Sequence, residues 1–357
     1  MRKAMSGSVK SIAELSCPIP FAAKDTIVLG HGSGGKLSAE LMKEIFLPAF
    51  QNPILARLDD QAIVNVNGCR LAFTTDSFVV KPLFFPGGDI GSLAVHGTLN
   101  DLAMGGAKAL FLSAGFIMEE GLPLSVLRRV VESLQRAAAA EGVAVVTGDT
   151  KVVEKGSADA LFINTSGIGL VPSDLELSSN QARPGDRVLL SGSIGEHGIA
   201  VLAQREGLEF ESQIKSDSAA LYPLVAKMLQ VTRKIRCLRD PTRGGLASTL
   251  NEIAERSQVA IELQEVSIPV SEEVRGACEM LGLDPLYVAN EGKLVAIVDP
   301  SAAEELLDMM RRHPLGRDAQ IIGTVHDHTA GLVTMRTQLG TARIVDMLAG
   351  DQLPRIC

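Results

Sequence analysis

The acidic residues of this 357-residue chain gather at turns and strand ends, where a solvated helix face does not account for them. Asp59 and Asp60 stand in LDDQA, Asp76 in TTDS, Asn100 and Asp101 in TLNDLAMGG, Asp149 in TGDTK and Asp240 in RDPTRGG. Taken singly, an Asp at such a place caps the next element. As a set, Asp60, Asp76, Asp101, Asp149 and Asp240 are hard oxygen donors of the kind Mg2+ shares with substrate phosphates. GHGSGGK (Gly30 to Lys36) supplies the anion side, with His31, Gly32, Ser33, Gly34, Gly35 and Lys36 leading into a helix whose N-terminus favours negative charge. DPTRGG, which holds Arg243, and SGSIGEHG are further Gly-containing turns before helices. Neither G-x-x-x-x-G-K-[ST] nor a helix-opening G-x-G-x-x-G is present, so the pattern fits a nucleoside triphosphate with more than one Mg2+ better than a dinucleotide. Asn100 and Arg243 join the candidate nucleotide ligands.

Proton transfer needs groups of a different kind. Glu291 and Lys293 lie on the NEGK turn, and Lys151 follows Asp149; near bound phosphate, a Glu and a Lys with shifted pKa values can move protons. A surface ion pair explains the same residues equally well. His326 and His328 alternate in VHDHT as an exposed turn, and His197 has no ligand partner at helical spacing. The five cysteines form no C-x-x-C pair and no even-numbered disulfide framework. Cys69 and Cys278 have apolar neighbours and read as buried small hydrophobes. Cys357, the last residue, has no such explanation: it is either a loose end or a sulfur on a tether.

These groups have to be carried by a regular scaffold. Periodicity predicts a strand at TIVLG, a helix over 37–50, strands at 69–80, 108–118, 143–149 and 159–171, and helices over 89–104 and 123–141. The turn RPGD opens a second unit with strands at 187–192, 259–263, 293–298, 319–325 and 331–335. Its helices are expected near 196–205, 217–232, 243–257, 271–281 and 301–313. The expected organisation is an extension over 1–25, an α/β domain over 26–182, an α+β domain over 183–339 and a mobile tail over 340–357. An extended chain gains roughly 3.3 Å per residue, so a tail of this length gives one sulfur a reach of tens of ångströms.

Composition narrows the partners. A net charge of -8, 4% aromatic residues and no Trp argue against a nucleic-acid surface. No apolar run approaches a membrane span, and residues 1–24 lack the apolar stretch of a secretory signal, so a cytoplasmic protein is expected.

HGSGGK, DDQA, FTTDSFVVKPLFFPGGDIG, GTLNDLAMGGA, GFIMEEGLP, VTGDTKVVEKG, RDPTRGG, ANEGKLV and the final LPRIC closely resemble the hydrogenase maturation carbamoyl dehydratases over about 26–357. The Gly-rich loop and strand-end acids are shared more widely, with aminoimidazole ribonucleotide synthetase, thiamine monophosphate kinase and selenophosphate synthetase. The resemblance implies a two-domain fold, α/β then α+β, whose N-terminal domains pair as a dimeric barrel in a homodimer. It further implies that a partner carbamoyltransferase loads Cys357 and that ATP phosphorylates the carboxamide oxygen. Loss of a proton and phosphate then leaves a thiocyanate, and cyanide passes to iron on a scaffold of two other maturation proteins. By the same resemblance Glu291 and Lys151 handle the proton, while Asp60, Asp76, Asp101, Asp149 and Asp240 lie near Mg-ATP. A selenophosphate-synthetase-like enzyme or a small-molecule kinase is the alternative; Cys17 keeps it open, although the Cys-x-x-Lys spacing expected there is missing.

Overall fold

The computed structural model describes residues 26–208, 213–350 and 356–357. Cys17 and the extension over 1–25 lie outside the described residues. TIVLG, expected as a strand, pairs with no strand among the described residues and runs into a 3-10 turn at Leu29–Gly32. Helix α1 (Lys36–Leu41) then continues through a π turn (Met42–Phe46) into α2 (Leu47–Ala49), which Phe50 ends.

Five strands build the first sheet: β1 (Ala62–Val66), β2 (Cys69–Phe78), β5 (Lys108–Glu119), β6 (Ala144–Val153) and β7 (Leu161–Leu170), in the order β1-β2-β7-β5-β6. A short pair, β3 (Phe84–Phe85) and β4 (Gly88–Asp89), precedes helix α3 (Ile90–Met104); helix α4 (Leu124–Ala140) connects β5 to its parallel neighbour β6. Asp89 starts α3 by accepting from the backbone N–H groups of Gly91 and Ser92 at 2.8 and 3.1 Å. Strand β1 was missed because its run is short, although the Asn67-Gly68 turn after it is a hairpin signal.

Alternation along β7 turns Leu161, Ile163 and Thr165 toward α3 and leaves Ile168 and Leu170 on an open face. Phe73, Ile168 and Phe111 stand side by side across β2, β7 and β5 on that face, all exposed. Helix α3, by contrast, is buried along most of its length within its own chain. The small residues between Ile90 and Gly106 serve close packing inside the domain.

The second sheet has the order β14-β13-β10-β12-β8-β11-β9. Its strands are β8 (Arg187–Leu190), β9 (Ile235–Arg239), β10 (Ala260–Gln264), β11 (Val295–Val298), β12 (Gln320–His326), β13 (Val333–Arg336) and β14 (Ala342–Ile344). Val188, Leu190, Val295 and Ile297 meet Leu246, Leu250 and Ile253 of α7 (Gly245–Ser257) on one side. Leu189, Ala296 and Val298 meet α6 (Tyr222–Val231) and α9 (Pro300–Arg312) on the other. Helices α5 (Glu196–Glu206) and α8 (Glu272–Leu281) form a third packing group with Ile199, Val274 and Cys278. Cys278 is buried as expected, but Cys69 is exposed beside the β1–β2 turn. Among the described residues no helix is long and apolar enough to cross a membrane.

Candidate functional site

Asp60, Asp101 and Asp240 come from three elements: the turn before β1, helix α3, and the residue after β9. One carboxylate oxygen of each lies within 4.8 Å of the others. Arg239 Nε holds Asp60 Oδ1 at 2.8 Å, while Asp60 Oδ2 is buried with no hydrogen-bond partner. Thr74 donates its hydroxyl to Asp101 Oδ2 at 2.7 Å. Asp76, two residues further along β2, lies on the same strand face as Thr74. Burial pushes the Asp60 carboxyl up to about 8 and Asp240 up to about 6, and it holds Asp101 and Asp76 above the ordinary range. Mutual repulsion adds to burial at Asp60, Asp101 and Asp240. Crowded, desolvated carboxylates with an unpartnered oxygen form a donor set suited to a hard divalent cation.

A consequence can be measured on metal-free protein. Between the ordinary Asp value of 3.8 and about 8, the folded chain holds protons at Asp60 that the unfolded chain has released. Unfolding therefore releases protons across that window, and stability falls as pH rises. Without metal, the melting temperature is expected to be lower near pH ~8 than near pH ~5, and Mg2+ to raise it most at the higher pH. A melting temperature that climbs through the window without metal contradicts the cluster's raised carboxyls.

Glu291 enters from the turn before β11 and is 2% exposed. Its backbone is fixed on both sides. Asp217 accepts the N–H groups of Glu291 and Gly292, each at 3.2 Å, and Asn100 donates to the Glu291 carbonyl at 3.1 Å. Gly292 is required there, because a Cβ would stand 1.8 Å from the Asp217 carbonyl oxygen. Asn290 ties the same turn to Gly195 N–H at 2.7 Å and to the Pro241 carbonyl at 2.9 Å. Lys293 pairs with Glu196 at 3.1 Å and Asp217 at 3.3 Å and not with Glu291. Burial, then Asp240, Asp76 and Asp217, hold the Glu291 carboxyl well above the ordinary range, with Arg243 opposing.

Cys357 reaches this cluster. The chain beyond Gly340, expected as a tail, first forms β14 beside β13 and buries Val345. Lys36 binds this segment twice, through its ammonium to Asp346 at 2.6 Å and its N–H to the Leu348 carbonyl at 2.8 Å. Ile356 is buried in the core group of Phe78, Val80, Phe85 and Val201. Val79 N–H donates to a main-chain oxygen of Cys357 at 3.0 Å. Burial pushes the Cys357 thiol up to about 12, with Arg243 lowering it and Glu291 and Asp76 raising it.

The Gly-rich loop lies against the Arg243 turn: Arg243 Nη1 donates to the Gly32 carbonyl at 3.1 Å. At Gly34, φ is +76° and a Cβ would stand 2.6 Å from the Arg243 carbonyl oxygen. Ser33 donates to Gly30 O, and His31 Nδ1 accepts Val28 N–H. Asn100 spends its amide on Glu291, Ala219 and Leu221, so here it positions Glu291.

Asp149 and Lys151 do not join the cluster within one chain. They pair with each other at 2.7 Å on β6, the exposed edge strand, with side chains 70% and 67% exposed. Arg239, Asp217, Thr74 and His197 were missed as site residues. The neighbours of Arg239 and Asp217 in RDPTRGG and KSDS were the available signal; for Thr74 it was the strand parity shared with Asp76.

Two sheets with helices against them, a carboxylate cluster drawn from both domains and a Gly-rich loop against the Arg243 turn fit an AIR synthase related protein. That family's N-terminal domain matches residues 58–171 and its C-terminal domain residues 183–335. The chain is 58% identical over 332 residues to the carbamoyl dehydratase HypE of Azotobacter vinelandii, covering 93% of this chain and 97% of that one. Two solved structures are close to it. A HypE–HypF complex superposes with a TM-score of 0.82 at 51% identity, covering 86% of this chain and 99% of that one. The hydrogenase maturation protein HypE in complex with ATP gives 0.79 at 51%, covering 93% and 100%. The chain belongs to the HypE family of carbamoyl dehydratases.

Proposed function

We propose that this chain dehydrates a carbamoyl group carried on Cys357 to a thiocyanate at the expense of ATP, supplying cyanide for the iron of nickel–iron hydrogenase. The observation that carries this reading is the seat of Cys357, where Arg243, Glu291 and Asp76 are its electrostatic neighbours beside the Asp60–Asp101–Asp240 cluster. The ATP complex of a relative supports the nucleotide. The carboxamide oxygen attacks the γ-phosphorus, ADP leaves, and the O-phosphorylated carbamoyl remains on sulfur. Loss of both N–H protons and breakage of the C–O bond release phosphate and leave S–C≡N.

Glu291, with its raised pKa, takes a proton, and Arg243 counters charge on the transferring phosphoryl. Asp60, Asp101 and Asp240 would hold Mg2+, which when bound neutralises triphosphate charge and makes phosphate a better leaving group. His31 to Lys36 and Arg243 would border the nucleotide, and Asp76 is an electrostatic neighbour of both Asp101 and Cys357. The carbamoyl donor is a partner carbamoyltransferase, a reading supported by the HypE–HypF complex, and the cyanide acceptor is an iron-carrying scaffold of two other maturation proteins. Phosphate release from ATP is expected only when Cys357 carries carbamoyl; equal release from unloaded protein refutes the coupling.

Lys151 and Asp149 act, in this reading, from the second copy of a homodimer. The exposed row Phe73–Ile168–Phe111 and the exposed β6 edge support pairing through the first sheet. Sedimentation at micromolar concentration is expected to give a dimer. Mixed dimers of Lys151→Ala and Glu291→Gln chains are expected to regain dehydration that neither variant has alone. A monomer, or mixtures as inactive as their parents, contradict this arrangement.

A further inference from the structure

The last two residues are held from both domains. The first domain contributes Val79 N–H and the apolar seat of Ile356. The second contributes His197, at the start of α5, whose Nε2 lies 2.7 Å from the Ile356 carbonyl oxygen. A carbonyl oxygen can only accept, so Nε2 carries the hydrogen and Nδ1 is left as an acceptor. Ser216 donates its hydroxyl to Nδ1 at 2.8 Å, and Ser216 Oγ in turn accepts Ser218 N–H at 3.1 Å. Ser216 N–H is itself tied to the Pro86 carbonyl at 2.8 Å. The ring is fully buried and edge-on to Phe85 at 5.4 Å, and burial keeps it neutral by lowering its pKa.

We propose that His197 is a positioning residue that seats the C-terminal cysteine by fixing the Ile356 peptide through its Nε2–H, with Ser216 bracing the ring at Nδ1. The proposal rests on the reading of Cys357 as the carrier. One peptide separates the held carbonyl from the reacting residue, so a slack Ile356 peptide moves the sulfur relative to Arg243 and Glu291. Reaction geometry tolerates about an ångström of such error. The contact also biases the tail inward: with Ile356 withdrawn, a buried imidazole N–H loses its acceptor, which is unfavourable. Asp217 follows Ser216 directly and holds the Glu291 backbone. One short loop therefore supports both the seat of the sulfur and the proposed base.

The test compares the full-length parent, His197→Leu, His197→Gln and Ser216→Ala. Cys357 alkylation by iodoacetamide, resolved by peptide mass, reports whether the tail is seated. Single-turnover dehydration of carbamoylated protein reports the chemistry, and equilibrium ATP binding serves as the control for fold. His197→Leu is expected to alkylate at Cys357 about tenfold faster and to dehydrate about tenfold slower, the factor carried by one buried hydrogen bond. Its ATP affinity should stay at the parent level. Gln can present an N–H near the position of Nε2 and is expected to recover most of both rates. Ser216→Ala should shift both in the direction of Leu, by less, and keeps the question answerable if His197→Leu does not fold. Unchanged alkylation in His197→Leu and Ser216→Ala overturns the proposal, as does slowed dehydration in both with Cys357 still protected. A parent that never accepts carbamoyl at Cys357 refutes the carrier reading instead, and the alkylation rates still decide whether His197 seats the tail.

Discussion

Cys357→Ala is expected to leave the fold and ATP affinity unchanged while removing carbamoyl acceptance entirely. The seat is made mainly by the Ile356 side chain and by hydrogen bonds to the main-chain oxygens of Ile356 and Cys357, while the half-buried Cys357 side chain packs against the same apolar group. Loss of one sulfur therefore costs little packing. No other described cysteine can substitute: Cys237 and Cys278 are buried in the second domain, and Cys69 is exposed beside the β1–β2 turn. The thiol matters chemically because the product must be a thiocyanate that can surrender its cyano group. At its seat burial, with Glu291 and Asp76, holds the thiol up to about 12, which favours the neutral form. Titration of the variant with ATP and mass analysis after exposure to the loading system check both halves. A variant that still gains carbamoyl at any site and dehydrates it contradicts the account.

Glu291→Gln is expected to retain nucleotide binding and to slow dehydration by roughly 10^2 to 10^4-fold, the usual contribution of a positioned base. The substitution preserves volume, and the bonds from Asp217 and Asn100 engage only the backbone of residue 291. The effect should therefore fall on chemistry and not on the turn. The sign of the pH dependence follows from the raised carboxyl. A base must be ionised, and burial with neighbouring Asp240 and Asp76 keeps Glu291 protonated above the ordinary carboxylate range. The single-turnover rate of the parent should rise with pH beyond that range, and the Gln variant should lose that rise. Weakened ATP binding at an unchanged rate would instead make Glu291 a structural residue.

Much of this site was legible as residue types at turns. Asp60, Asp101 and Asp240 lie together because the ends of their elements meet where the two domains join, whereas Asp149 stays apart. What stayed hidden depends on tertiary facing. Nothing in TGDTK reveals that β6 is an edge strand whose Asp149 and Lys151 look away from the cluster of their own chain. Asn100 reads as a ligand beside Asp101, yet one helical step turns its amide to the backbone of Glu291. His197 lacks a partner in sequence because its partner is the peptide of Ile356, 159 residues away. TIVLG has strand composition without a neighbouring strand among the described residues, whereas IRCLR, with two arginines, hides the buried edge of the second sheet as β9. Periodicity cannot see pairing, and pairing decides both cases.

The central claim is that the group transformed is carried by Cys357 itself. Intact mass, with the modified residue mapped, tests it most directly: the protein is incubated with the carbamoyl-loading system, first without and then with Mg-ATP. The account predicts a gain of one carbamoyl mass confined to Cys357 without ATP, then loss of one water from that same residue once ATP is added. A carbamoyl mass that never appears on Cys357, or that persists there unchanged in the presence of Mg-ATP, would contradict it.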